Sequence, residues 1–232
     1  MSIIYINPFQ FAAPPVGPTD PYFSNVSLLL HGDGTNGSTT IVDSSPSPKT
    51  VSAIGSASIS TTQSKFGGSS INFNGGYLSS SNNIANFGGD PFTIEYWVNF
   101  NSIAAAQAPM ISTYQGSGTG LAIQKVASQG GIGVNLSGDG LDIFASNVLS
   151  STTWHHIALS GQSGANGIRL FIDGVQGGST FTGATSFGSN TLSIGALLAI
   201  RFYGYIDALR ITKGMARYTS NFTPPTAPFP DA

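Results

Sequence analysis

Phe92-Thr93-Ile94-Glu95-Tyr96-Trp97-Val98-Asn99-Phe100 repeats with a period of two. Phe92, Ile94, Tyr96, Val98 and Phe100 fall on one side, and Thr93, Glu95, Trp97 and Asn99 on the other. Successive strand side chains point to opposite faces, so the run predicts a long strand with one face in a core. Its β-branched and aromatic residues suit a pleated surface.

Similar segments recur on both sides of it. Val26–His31, Val51–Ser60 and Ser70–Phe73 precede it. Pro109–Tyr114, Gly120–Val126, Gly131–Leu136, Leu141–Ala145, Trp154–Ser160, Gly167–Asp173, Thr191–Gly195 and Tyr203–Thr212 follow. They are short, bounded by Gly, Asn, Ser or Asp, and spaced roughly 8–12 residues apart, which is the signature of a sandwich or barrel. Asp173-Gly174 reads as a two-residue hairpin turn between Leu170-Phe171-Ile172 and Val175. The best short helix candidate is Lys213–Tyr218. The simplest expectation is one all-β sandwich with two extended ends.

The ends differ from the body. Residues 1–25 carry no charge before Asp20, and four of the thirteen prolines lie between Pro14 and Pro21. Proline removes ladder donors and fixes an extended backbone. Exposed, Ile3, Ile4, Tyr5, Ile6, Phe9, Phe11, Tyr22 and Phe23 would form an apolar patch, and such patches mark interfaces. This segment is read as an extended docking arm. Residues 223–232 form a Pro-rich tail.

Composition removes several function classes. Charged residues are 8% of the 232, against about 25% in an average domain. Ser and Thr number 52 and Gly 30, so hydroxyls, amides and backbone must cover the surface. Eight Lys+Arg and a net charge of −2 give no footprint for nucleic acid. No apolar run reaches the ~18 residues of a membrane span. Without Cys there is no disulfide, thiolate metal site or thiol nucleophile. The first residues lack a basic stretch followed by an apolar one, so no secretory leader is expected.

Five motifs in order carry a family resemblance. Phe92–Val98 resembles the "F-T-I-E-x-W-V" strand of laminin-G-like jelly rolls of the concanavalin A-like lectin/glucanase superfamily. Trp154-His155-His156-Ile157-Ala158 resembles its "W-H-H-V-A" strand, and Leu170–Gly174 its "L-Y-V-D-G" hairpin. Gly204–Ile211 is similar to its "G-x-I-D-D-V-R-I" closing strand, with Ala208 where the second acid usually stands. Leu29–Gly34 matches its opening strand less fully. The resemblance implies an all-β, two-sheet antiparallel jelly-roll sandwich over residues 26–222, one sheet concave, and functions that range over glycan binding, protein binding and glycan cleavage. The opening Ser27–Ser45 is similar to virion structural proteins of bacteriophages, such as fibre and decoration proteins. That implies a virion location, with other virion proteins and copies of itself as partners. An extracellular adhesin for cell-surface glycan is the alternative.

Chemistry narrows this further. Glycoside hydrolysis needs two carboxylates flanking the bond. Glu95 is the only glutamate, and nothing in 96–101 supplies a partner. Asp139 and Asp142 sit in a Gly-rich turn and read as turn formers. His155 and His156 are adjacent, so on a strand they face opposite ways and cannot share a metal from one side. No nucleophile elbow surrounds any Ser. A non-enzymatic role is expected. Calcium takes six to eight oxygens, and the resemblance places an ion near a sandwich rim, with Asp33, Asn36, Asp43 and Asp207 as contributors. The alternative is that Asp33 and Asp43 form Asx turns and that Asp207 pairs with Arg210 or with an exposed backbone amide. A glycan platform would use aromatics with amides: Tyr114 with 115–119, Asn135, Asn147 and Asn190, or Arg201, Phe202 and Tyr203.

Overall fold

The computed structural model describes residues 19–80, 83–103, 107–114, 120–126, 130–136, 140–146, 149–162, 167–185, 187 and 191–232. Among them the strands run as follows. β1 is Val26–Leu30, β2 Val51–Ile54, β3 Ser58–Ser60, β4 Ser70–Asn72, β5 Tyr77–Ser80 and β6 Phe92–Phe100. β7 is Ala108–Ser112, β8 Ala122–Val126, β9 Gly131–Asn135, β10 Ile143–Ala145, β11 Trp154–Gly161 and β12 Ile168–Ile172. β13 is Val175–Phe181, β14 Leu192–Ile194, β15 Ala196–Leu197, β16 Ile200–Arg201 and β17 Gly204–Lys213.

They form two antiparallel sheets. The first has the order β13-β12-β11-β6-β17-β4-β3, with β1 paired to the far part of β17. The second has the order β10-β9-β8-β7-β14-β5-β2. β15 and β16 make a small separate hairpin. The expected sandwich and its central strand are both present. Phe92, Ile94, Tyr96, Val98 and Phe100 of β6 enter the core between the sheets, with Met110, Ile123, Val134, Ile157 and Ile206.

Three local readings are corrected. Val51–Ser60 is two strands in different sheets. Gly55 turns the chain at φ +68, and Gly76 packs so closely that a Cβ there would stand 2.2 Å from the Ala57 nitrogen. Lys213–Tyr218 is not a helix: Lys213 ends β17 and Gly214 adopts φ +76. The next residues are bound sideways through Thr93, whose Oγ1 donates to the Met215 carbonyl at 3.1 Å and accepts the Arg217 amide at 2.9 Å. Phe202 is fully buried against Phe73 and Phe100 rather than exposed.

Every residue of β6 is buried, including its outward row Thr93, Glu95, Trp97 and Asn99. The chain ends supply the cover. Residues 20–25 and the segment after β17 lie over the outer face of the eight-stranded sheet. Trp97, Val26, Leu29, Ala208 and Phe229 form a second small core there, with Phe23, Phe66 and Trp154 packed against it. The Asp20 amide donates to the Ala232 carbonyl at 2.7 Å, so the two segments meet. A bulge in β17 separates Asp207, opposite Trp97, from Arg210, opposite Glu95, with Ala208 at φ +47.

Candidate functional site

On the eight-stranded sheet the outward polar residues are spent on each other. Glu95 accepts from Arg210 Nε at 3.0 Å and Nη2 at 2.8 Å, and from the Tyr218 hydroxyl at 2.8 Å. His156 Nε2 lies 3.4 Å from its other side. Arg210 also donates to Asp20 at 2.9 Å, and Arg217 forks onto both Asp20 oxygens at 3.0 and 2.7 Å. Burial alone would raise the Glu95 carboxyl, but Arg210 and His156 outweigh it and hold it at about 2. Asp20 is likewise lowered: Arg217 and the Tyr22 amide outweigh the effect of burial. Glu95 therefore has no free oxygen for acid–base work.

His155 and His156 do face opposite sides of β11, and both are buried. His155 Nδ1 bonds Asp173 Oδ2 at 2.7 Å, and its Nε2 meets the Ser150 hydroxyl at 3.0 Å. This has the order of a hydrolase triad. The Ser150 backbone amide also donates to Nε2 at 3.0 Å, so the lone pair that would take a proton is already engaged. The group clasps the Asp173-Gly174 hairpin, where Asp173 (φ +51) and Gly174 (φ +81) have the paired positive φ of a type I′ turn.

The three expected calcium ligands divide, Asp43 standing apart from the other two. Asp43 accepts from the Leu29, Ser45 and Lys49 amides and the Ser45 hydroxyl, so it is a turn-forming side chain, as the Asx reading expects. Asn36 accepts from the Thr61 amide. Asp33 and Asp207 come together. Burial raises the Asp207 carboxyl to about 6, the Asp33 charge adding to it, and its Oδ1 is buried without a hydrogen bond. Its Oδ2 accepts from the Lys65 and Phe66 amides and not from Arg210. Two carboxylates supply half of a calcium shell at most. Among the described residues no third His, Asp or Glu joins them.

Of the expected docking residues, Ile3, Ile4, Tyr5, Ile6, Phe9 and Phe11 lie outside the described residues. Tyr22 is exposed beneath Arg217, and Phe23 is half-buried against the second core.

The outer face of the seven-stranded sheet is built differently. Register places Ser52 opposite Ser79, Ser79 opposite Ser193, Ser193 opposite Ser112, Ser112 opposite Ala122, and Ala122 opposite Asn135. Directly paired residues share a face, so this is one row across the sheet. Beside its Asn135 end is a ladder of amides. Gln107 Nε2 donates to Gln124 Oε1 at 2.5 Å, Gln124 Nε2 to Asn135 Oδ1 at 2.8 Å, and Asn135 Nδ2 to the Gly140 carbonyl. Tyr114 and Leu197 flank it, enclosing a groove of about 130 Å³ with no charged side chain among the described residues of its lining. The one cation of β8, Lys125, points inward and donates to the Ile103 carbonyl at 3.1 Å. Gly120 passes so close to Tyr114 that a Cβ would stand 2.9 Å from its Cα.

The structure thus brings Tyr114 and Asn135 together as expected of a glycan platform. Residues 115–119, Asn147 and Asn190 lie outside the described residues. Arg201 stands over the Tyr77 ring at 5.1 Å, and Tyr203 is exposed. Sequence reasoning missed Gln107, Gln124 and Leu197. The available signal was Gln124, a polar residue alternating with Ile123 on the candidate strand Gly120–Val126.

Comparisons place this architecture among known proteins. Domain 4 of AbnA, an extracellular arabinanase of Geobacillus stearothermophilus whose structure was solved with arabinotriose, is 17% identical. The match covers 82% of this chain and 93% of that one at a TM-score of 0.56. The receptor binding domain of botulinum neurotoxin type G is 16% identical at a TM-score of 0.61 over 84% of this chain. The binding domain of botulinum neurotoxin DC, solved in complex with SialylT, is 15% identical at a TM-score of 0.61 over 86%. The chain spans about half of each neurotoxin domain, 49%. These likenesses concern the fold. No curated protein sequence matches. The family model described as "Concanavalin A-like lectin/glucanases superfamily" matches residues 72–216, more than half of the chain. The chain belongs to the laminin-G-type branch of the concanavalin A-like lectin/glucanase superfamily.

Proposed function

We propose that the chain is a non-enzymatic glycan-binding module carried on a phage particle as a decoration or fibre component. The amide ladder Gln107–Gln124–Asn135 beside Tyr114 carries the glycan half of the reading. Amides offer donors and acceptors together, which matches sugar hydroxyls, and an uncharged lining suits a neutral glycan. The arabinotriose on the AbnA domain is in keeping with it. The non-enzymatic reading rests on Glu95, whose oxygens are taken by Arg210 and Tyr218.

The virion half rests on the likeness of Ser27–Ser45 to phage structural proteins and on the position of the ends. Residues 20–25 and 229–232 lie over the eight-stranded sheet, so an arm docked there leaves the amide face turned outward. Its partners would be other virion proteins and copies of itself, met through Ile3–Phe11. A calcium-dependent form of the reading would seat the ion between Asp33 and Asp207, with water filling the shell. A melting temperature raised by calcium in the native chain and not in Asp207→Asn supports it; an unchanged one removes the ion.

A glycan array probed with the whole chain, Gln124→Ala and Asn135→Ala is the deciding experiment. Binding to neutral glycans that both variants lose is expected. Silence, or binding that both retain, overturns the glycan reading. Mass spectrometry of purified particles tests the other half: stoichiometric presence is expected, and absence moves the module to a free extracellular adhesin. A chain lacking residues 1–18 should fold yet fail to join particles.

A further inference from the structure

Ala196-Leu197-Leu198-Ala199-Ile200 is an uninterrupted apolar run, and the chain turns back on itself in the middle of it. Ala196 pairs with Arg201 and Leu197 with Ile200, so Leu198 and Ala199 form a two-residue hairpin turn. Such turns take glycine or asparagine where φ is positive. Here Leu198 holds φ +53, which an L side chain rarely adopts. Nothing in the fold offsets that strain: Leu198 is 58% exposed, Ile200 is 37% exposed, and Ala199 between them is exposed as well. A bulky apolar side chain held in water by a strained turn points to a partner outside the chain.

The base of the hairpin is fixed. The Gly195 amide donates to the Met110 carbonyl at 2.8 Å, and the Phe202 amide to the Gly195 carbonyl at 2.9 Å. Phe202 is fully buried, and a Cβ at Gly195 would stand 2.3 Å from Phe73 Cδ1. Arg201 Nη1 donates to the Leu198 carbonyl and, at 3.1 Å, to the Ile200 carbonyl, which braces the turn. Its guanidinium stands over the half-buried Tyr77 ring, and Tyr203, 53% exposed, follows the hairpin. The charge here has one sign. No acidic residue occurs from Gly174 to Ile206 or from Ser44 to Gly89, the stretches that hold the hairpin and Tyr77, and Arg201 is the hairpin's one charge.

We infer that this hairpin docks on a lipid surface bearing anionic headgroups. Leu198 and Ile200 enter the acyl boundary. Arg201 and Tyr203 stay at the level of the headgroup phosphates, where cationic and amphipathic aromatic side chains are favoured. A second protein fits less well: three part-exposed side chains present far less than the ~800 Å² per partner of a stable interface. A bilayer needs no complementary groove. One tip gives weak, reversible attachment, which several linked copies multiply. Leu197 also lines the amide groove, so the tip stands beside that site.

The chain has no cysteine, so Ala199→Cys offers a single attachment point for an environment-sensitive fluorophore. Full-length protein is floated on a density gradient with sugar-free vesicles of phosphatidylcholine, with or without phosphatidylglycerol. The native chain should float with the phosphatidylglycerol vesicles, and the fluorophore should brighten and shift to the blue. Leu198→Asp should lower the apparent affinity at least about tenfold. Leu198→Gly should also lower it while leaving the melting temperature unchanged or higher, because glycine accepts a positive φ, and this separates docking from folding. High salt should weaken binding about fivefold, the share of one cation. Gln124→Ala should float like the native chain, so this inference and the glycan reading fail separately. The inference is overturned if the native chain floats with neither vesicle or if Leu198→Asp floats as the native chain does. It is also overturned if the fluorophore becomes shielded on raising the protein concentration without lipid, which would make the occupant a second copy.

Discussion

Thr93, Glu95 and Trp97 face away from the core yet are as buried as the residues between them, whereas Ser52, Ser79 and Ser193 across the sandwich are open or half-open. Both rows are outward faces of antiparallel sheets. The first lies beneath residues 20–25 and the segment after β17 and therefore needs paired charges; the second, open at Ser52, Ser79 and Ser193 and closed at Ser112 and Ala122, is lined among the described residues by uncharged hydroxyls and amides. Alternation decides which residues leave the core. What folds back over them decides whether they become structure or surface.

Removing the central cation should break the covered face most severely. Arg210→Ala leaves Glu95 buried with only Tyr218 and His156 close and Arg217 at 4.0 Å. Loss of one partner of a buried pair costs about 3–5 kcal/mol, to be read as a fall in the urea midpoint. A midpoint within experimental error of the native chain would show that the cluster contributes no net stability.

Phe229→Ala comes next. Its ring lies 3.8 Å from the Arg210 guanidinium and caps Trp97 and Leu29. It is peripheral to the main core, so a loss of about 2 kcal/mol is expected, below the usual range for a central Phe. Tail-resistant proteolysis in this variant would contradict the capping role.

Acid should act on the same face. Glu95 titrates near 2 when folded and near its ordinary 4.5 when unfolded, and Asp20 and Asp173 are shifted the same way. Depressed carboxylates stabilise the fold above their unfolded values and lose that contribution as pH falls through the folded ones. The melting temperature should therefore not fall above about pH 5, where protonation of Asp207, raised to about 6, adds stability, and should drop steeply between about 4 and 2. Glu95→Gln should flatten that fall from a lower starting point.

The smallest stability effect belongs to the open face. Gln124→Ala should change stability by about 1 kcal/mol: Gln124 is itself buried, but its partners Gln107 and Asn135 reach solvent and can be rehydrated. A large loss there would make the amide ladder a structural device and erase the contrast between the faces.

Much of the frame was legible from short-range pattern. The period of two in Phe92–Phe100 identified the core face, and Asp173-Gly174 located its hairpin. The cover was not legible: Asp20 meets Arg210 and Arg217 across 190 and 197 positions, and no local pattern encodes such a meeting. β5 and β13 were hidden because Tyr77–Ser80 ends in serines and Val175–Phe181 contains Gly177-Gly178. Tyr114 and Asn135 were picked by residue type. Gln107 and Gln124 needed the register of β7, β8 and β9, which non-local pairing fixes.

The hydrogen bond from Asp20 to Ala232 makes the body almost a closed ring. A domain whose entry and exit coincide can be spliced into a surface loop of another chain through short connectors, without prising the host's strands apart. Tension passing along such a composite chain would enter and leave at one corner. It would load the Asp20–Arg210–Arg217 clamp and largely bypass the two sheets.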